Sequence, residues 1–211
     1  MILDIHSHRP APYEEGVISL GGFGAPLAAG QLYSVGIHPW DTAAGEMSEA
    51  AETWSALEKL AEEKDVVAIG ECGVDLLKGG PMFRQLQVFR RQVEISERVR
   101  KPLVIHCVKG ADIIMGLKRD LAPSQTWIIH GFRGNPALAR QLTDKGICLS
   151  FGEKFNPDTV MQMPGNMLFA ETDESLLTIR EIIGALSAAA NRDLTPEIAA
   201  NVQNLLGTRE I

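Results

Sequence analysis

The chain has few cysteines, three in 211 residues, and Cys72, Cys107 and Cys148 form no Cys-x-x-Cys pair. Pairing any two would leave one over, which argues against a disulfide framework. A reducing, cytoplasmic setting fits this usage. There is no long hydrophobic run. The longest, such as 102–107, fall far short of the ~20 residues that span a bilayer, so a membrane protein is not expected. No basic stretch followed by an apolar core opens the sequence, so no secretory leader is expected either. Positive charge is in short supply. The formal net charge is -7 and the isoelectric point about 5.3, which excludes a protein that holds nucleic acid by a generally basic surface.

The apolar content is ample, at 45%, and mean hydropathy is zero. With only 22% charged residues the chain is not a disordered one, and its length predicts a single domain over 1–211 with a full core. Charge is uneven. Ten of the twenty basic residues lie between Lys78 and Arg119 with three acids, giving that segment about +7 against about -14 elsewhere. A solvated helix face is the ordinary reading, and local attraction for a polyanion is the sharper one.

Short β-branched runs alternate with 3.6-residue helical patterns. Strands are predicted at 2–6, 17–20, 32–37, 66–70, 103–106, 126–129, 147–151 and 167–171. Helices are predicted at 48–64 with Ser48 as N-cap, 82–99, 112–119, 136–145, 176–190, and 196–206 with Thr195 as N-cap and Gly207 as stop. Eight near-continuously apolar strands separated by helices predict an α/β (β/α)8 TIM-type barrel, with a doubly wound open sheet as the alternative. The segments between the first three strands are too short for regular crossovers, so the barrel is expected to be compact, its first outer helices shortened or missing.

All five histidines, His6, His8, His38, His106 and His130, fall at or just past the C-terminal end of a predicted strand, as do Glu71 and Asp173. A (β/α)8 barrel builds its active sites at those ends. In Asp4-Ile5-His6-Ser7-His8 the alternate residues share one face of a strand. His6 and His8 can therefore reach one metal, while Asp4 orients one of them. Imidazoles with carboxylates suit Zn²⁺ or another first-row ion, and the carboxylates also admit Mn²⁺ or Mg²⁺.

The chain resembles the TatD family of metal-dependent hydrolases, the TatD-related deoxyribonucleases, within the amidohydrolase-like barrel superfamily. The likeness is carried by Asp4-x-His6-x-His8, Gly36-Ile37-His38-Pro39, Ile69-Gly70-Glu71-x-Gly73-Val74-Asp75, Pro102-Leu103-Val104-Ile105-His106, His130-Gly131-Phe132 and Glu171-Thr172-Asp173, in family order over nearly the whole chain. Weaker echoes are Gln85-x3-Phe89-x2-Gln92 and Asn201-x5-Gly207. The resemblance implies two divalent ions, Mg²⁺, Mn²⁺ or Zn²⁺. One would be held by His6, His8 and Asp173, the other by His106 and His130, with Glu71 bridging them. It also implies Asp173 as the group that takes the proton of the attacking water, and a nuclease that cleaves DNA or RNA ends. His38, Lys109 and Arg133 would face the substrate.

The chain departs from the family pattern in its short region after strand one, in His106-Cys107-Val108-Lys109, in His130-Gly131-Phe132-Arg133-Gly134 and in Asp173-Glu174-Ser175. None removes an implied ligand, and all touch the substrate rim. The rival readings are a metal-dependent hydrolase of a small amide, lactone or phosphoester, and a metal-binding domain without turnover. Cys72 and Cys107 read as small packing residues. Trp54 and Phe89 read as core, whereas Trp40 is a candidate for a site-lining aromatic. The loop at 21–31, with Phe23, Pro26 and Leu27, is expected to cover the first strands in a monomer, with a homodimer through that face as the alternative.

Overall fold

The computed structural model describes residues 1–20, 22–23, 26–43 and 50–207. Eight strands follow one another in chain order around a closed parallel barrel: β1 Asp4–Ser7, β2 Gly16–Ser19, β3 Leu32–Val35, β4 Val66–Asp75, β5 Leu103–Val108, β6 Trp127–Ile129, β7 Ile147–Phe151 and β8 Leu168–Ala170. Helices α1 Ala51–Glu62, α2 Met82–Val99, α3 Ala111–Leu121, α4 Pro136–Thr143 and α5 Pro157–Gln162 connect the later strands, and α6 Ile179–Ala190 and α7 Thr195–Leu206 follow the last. No helix joins β1 to β2, and none occurs among the described residues between β2 and β3. This is the predicted fold with its predicted omission.

Strand β4 is buried along all ten residues, and its first four, Val66 to Ile69, read as an apolar run. It also runs five residues past the predicted 66–70, through the Glu71 motif. Helix α2 matches its prediction end to end and stops at Arg100, whose left-handed backbone (φ 56°) closes it. Helix α6 starts later than predicted. Thr178 and Glu181 form a reciprocal capping box, and Leu176 lies outside it, 95% exposed. Helix α5 was not predicted. Six residues are too short to show a period, and it rests on Asn156, whose side chain accepts from the backbone of Asp158 and Thr159. The predicted cap Ser48 lies outside the described residues. Helix α7 begins one residue earlier than predicted, so Thr195 is its first residue rather than its cap.

The chain forms two compact units, one of residues 1–18 and 128–211 and one of residues 19–127. In the first, β1 pairs with β2 and with β8, and β7 pairs with β8. Its core includes Leu3, Ile5, Leu149, Phe151, Leu168 and Ile182, all nearly inaccessible. In the second, β4 pairs with β3 and β5. There Phe89 packs edge-on to the buried Trp127 at 5.3 Å, while Trp54 is buried with the Arg91 guanidinium 4.0 Å from its ring centroid. Such side chains each contribute about 1.5–3 kcal/mol by leaving water. Several charges of the 78–119 segment are used structurally. Lys101 is buried and its ammonium donates to the carbonyls of Ala61 and Glu63 at the end of α1, while Arg91 and Arg98 pair with Glu58. In the loop before β3, Phe23 and Leu27 are half-buried, Pro26 is exposed, and the Ala28 N–H donates to the Tyr33 hydroxyl. No helix among the described residues is long and apolar enough to cross a membrane.

Candidate metal centre

In the first unit β1 delivers His6 and His8, and the chain leaving β8 delivers Asp173. Backbone bonds lock the two segments together: Asp173 N donates to His6 O and His8 N donates to Asp173 O, both at 3.0 Å. His6 is fully buried and His8 half exposed, with their Nε2 atoms 3.8 and 3.7 Å from Asp173 Oδ1. Two ligands each about 2.1 Å from one cation fall within that span. Asp173 holds a left-handed backbone (φ 51°), a conformation uncommon in a residue other than glycine and found disproportionately at functional sites. His130, just past β6, joins them. Its ring centroid is 4.3 Å from that of His6, and one ligand atom each from His6, His130 and Asp173 lies within 4.8 Å of the others.

Buried carboxylates stand behind this group. Glu171 is fully buried, its Oε1 accepting from Gly131 N at 2.6 Å and lying 3.4 Å from His130 Nδ1. Burial by itself raises its pKa, but the charge and hydrogen bond of His130, followed by His6, hold it below the ordinary glutamate range. A carboxylate at Nδ1 turns Nε2 toward a metal. Asp4, expected to orient a histidine ring, accepts instead from the backbone N–H of His6 and Thr172, the Thr172 hydroxyl and the Tyr13 hydroxyl. It fixes the backbone that carries the ligands. Burial raises its pKa to about 7, and those donors partly offset the rise.

The second unit holds His38, Glu71 and His106, again with one ligand atom each within 4.8 Å of the others. Glycine makes this possible. Gly70 and Gly73 have φ of 145° and 141°, and a Cβ on either would collide with a β5 carbonyl, that of Val104 or of His106. Glu71 Oε1 lies 2.7 Å from His106 Nδ1 and 3.1 Å from His38 Nε2. His38 Nδ1 accepts from Trp40 N, so Nε2 carries the proton and donates. His38 is therefore a donor to anionic oxygen rather than a ligand through Nε2. His106 Nε2 lies 3.2 Å from Asp75 Oδ2. Burial tends to raise the Asp75 pKa, but hydrogen bonds from Trp40, Lys78, Leu77 and His106 bring it down to about 2. Asp75 Oδ2 accepts a hydrogen bond from His106 Nε2–H, which turns the Nδ1 lone pair toward the Glu71 carboxylate, itself an acceptor. A proton or a cation must lie between two such acceptors, and imidazole with carboxylate is a donor set that divalent ions take.

Helix α2 holds the backbone of this cluster. Gln92 Oε1 accepts from Ile37 N and its Nε2 donates to Ile37 O, just before His38. Gln85 does the same for Asp75 N and O. Among the substrate-facing residues expected from the sequence, Arg133 lines a cavity of about 230 Å³ in the first unit, together with Lys154, Glu171, Thr172 and Asp173. Lys109 is exposed just past β5, with a left-handed backbone (φ 58°). Cys72 is wholly buried and burial pushes its thiol up; burial raises that of Cys107 to about 11, as expected of packing residues. The sequence motifs contain Glu171, Asp75, Gln85 and Gln92, yet sequence reasoning gave them no roles. Buried acids and amides within an apolar pattern were the available signal.

Residues 28–200 match the family model described as TatD related DNase. The chain is 32% identical over 154 residues to the uncharacterized metal-dependent hydrolase YabD of Bacillus subtilis, covering 69% of this chain and 59% of that protein. It is 28% identical over 160 residues to the 3'-5' ssDNA/RNA exonuclease TatD of Erwinia amylovora, covering 71% and 60%. The chain thus spans about three fifths of the length of the curated relatives it matches. The crystal structure of YjjV, a TatD homologue from Escherichia coli, superposes with a TM-score of 0.80 at 17% identity, covering 99% of this chain and 98% of that one, which shows the shared fold.

Proposed function

We propose a function from one premise: this chain belongs to the TatD related DNase family. The protein is a metal-dependent hydrolase of phosphodiesters, acting on the ends of DNA or RNA. The observation that carries this reading is the pair of clusters, His6–His130–Asp173 with His8 beside it, and Glu71–His106 with His38 donating to Glu71. His6, His8 and Asp173 would hold one divalent cation and His106 and His130 a second. Sharing of Glu71 between them rests on the family pattern. Mg²⁺, Mn²⁺ and Zn²⁺ all suit this set.

Bound cations supply positive charge for a phosphoryl oxygen and a lowered pKa for water. The chain's own groups do the rest. Asp173 accepts the water's proton on a carboxylate oxygen. His38 Nε2–H donates to a non-bridging phosphate oxygen, its tautomer set by the Trp40 N–H on Nδ1. Arg133, lining the cavity beside Asp173, and Lys109, past β5, meet the phosphates. A cytoplasmic monomer completes the reading, supported by the low cysteine count and by the half-buried Phe23 and Leu27. A dimer through these residues, seen by light scattering, would overturn the monomer.

The test is hydrolysis of a single-stranded oligonucleotide and of an activated phosphodiester with each cation. Asp173→Asn is expected to abolish turnover at saturating metal with the fold intact, since the amide cannot accept the proton. Failure of the wild-type chain to cleave either substrate with any cation would refute the reading.

A further inference from the structure

We infer that Trp40 is a stacking platform for an unpaired nucleobase. This rests on the phosphodiesterase reading and names the side chain that would meet the base.

Of three tryptophans, Trp54 is 5% and Trp127 0% exposed, while Trp40 leaves 46% of its surface open. A large exposed aromatic is usually mobile, but this one is held. Its Nε1–H donates to Asp75 Oδ2 at 2.7 Å, and the same oxygen lies 3.2 Å from His106 Nε2. Its backbone N–H donates to His38 Nδ1, and the His38 ring meets it edge-on at 4.7 Å. The indole is thus anchored to both histidines of the second cluster while its surface faces solvent. Lys78 Nζ lies 4.7 Å from the ring centroid, on a turn whose Leu77 and Lys78 N–H groups Asp75 Oδ1 accepts.

An aromatic face with an exposed ammonium over it is a combination that binds single strands, the ammonium swinging off the ring to a phosphate as the base stacks in its place. Phe83, 66% exposed, with the Arg84 guanidinium 5.7 Å from its ring, is a second such pair at the start of α2. In a duplex both faces of an internal base are already stacked, so the platform has nothing to take. Every base has a π-face, so little sequence preference is expected.

The test uses the full chain carrying Asp173→Asn, with Mg²⁺, so that an octathymidylate binds uncut. Trp40 is the exposed indole, and its fluorescence is expected to be quenched on binding. Trp40→Ala should raise Kd about 5- to 150-fold, the range of one lost stacking contact. Trp40→Phe should abolish the quench yet keep Kd within about threefold, because phenylalanine still stacks. An abasic strand of the same length should bind the parent and Trp40→Ala alike. The inference is overturned if Trp40→Ala binds octathymidylate as tightly as the parent, if the abasic strand binds as tightly as octathymidylate, or if Trp40→Phe loses as much as Trp40→Ala. Should any of these hold while the wild-type chain still cleaves oligonucleotides, the platform fails and the phosphodiesterase reading stands. Quenching by octathymidylate in a chain that hydrolyses no phosphodiester would leave the platform and remove that reading.

Discussion

Four donors converge on the carboxylate of Asp75: Trp40 Nε1, His106 Nε2 and the backbone N–H groups of Leu77 and Lys78. An amide in its place turns one acceptor oxygen into a donor and sets it against at least one of those N–H groups. Asp75→Asn is therefore expected to weaken metal binding about 10- to 100-fold, as loss of a ligand's supporting partner does. Titration against a chelating competitor reads this, and unchanged far-ultraviolet circular dichroism separates it from unfolding. Wild-type affinity would remove Asp75 from its supporting role. The ligand candidates were legible because histidines at the ends of apolar strands are conspicuous. Asp75 and Glu171 stood in the same motifs but gave no sign of what they support, because that depends on which ring nitrogen a neighbouring strand presents.

Among the elements, α2 carries most of the positioning in the second unit. Its Gln85 and Gln92 lie seven residues apart on one face and each satisfies both backbone groups of a residue beside the site. Gln92→Met keeps the volume and leaves the N–H and C=O of Ile37 in a buried setting without that partner. The expected cost is about 1–3 kcal/mol for each group left unsatisfied, read by urea denaturation. A loss under about 0.5 kcal/mol would show that the clamp is dispensable. At the far end of the helix, Glu97 accepts from the hydroxyl and N–H of Ser124 and from Gln125 N. Burial tends to raise its pKa, and these donors, Ser124 foremost, hold it below the ordinary glutamate range. A depressed carboxylate contributes its stability fully above that range and loses it as pH falls through the folded-state value. Glu97→Gln should thus flatten the acid limb of the stability–pH curve and leave its shape near pH 7 unchanged. Helix α2 was readable end to end because eighteen residues hold a period. Helix α5 and the start of α6 were not, because side-chain caps, Asn156 and the Thr178–Glu181 box, set them rather than any periodicity.

At the scale of the molecule, divalent cations held only by the folded chain must raise its stability. At a hundred times Kd the gain is about 2.7 kcal/mol per site, so thermal unfolding should shift upward with metal and return with a chelator. An unchanged melting temperature across saturating Mg²⁺, Mn²⁺ and Zn²⁺ would argue against metal sites of useful affinity. The strand order also has a consequence in time. Strand β1 is made before the other strands of the barrel and pairs with β8, Asp4 opposite Ala170, and Thr172 closes the seam on the Asp4 carboxylate. On the ribosome, His6 and His8 emerge more than 160 residues before the carboxylate that completes their group. Contacts so distant in sequence form late, after the local ones. If the proposed cation site of the first unit exists, it cannot form before Asp173 is made: a nascent or truncated chain stopped short of that residue carries both histidines and lacks the carboxylate.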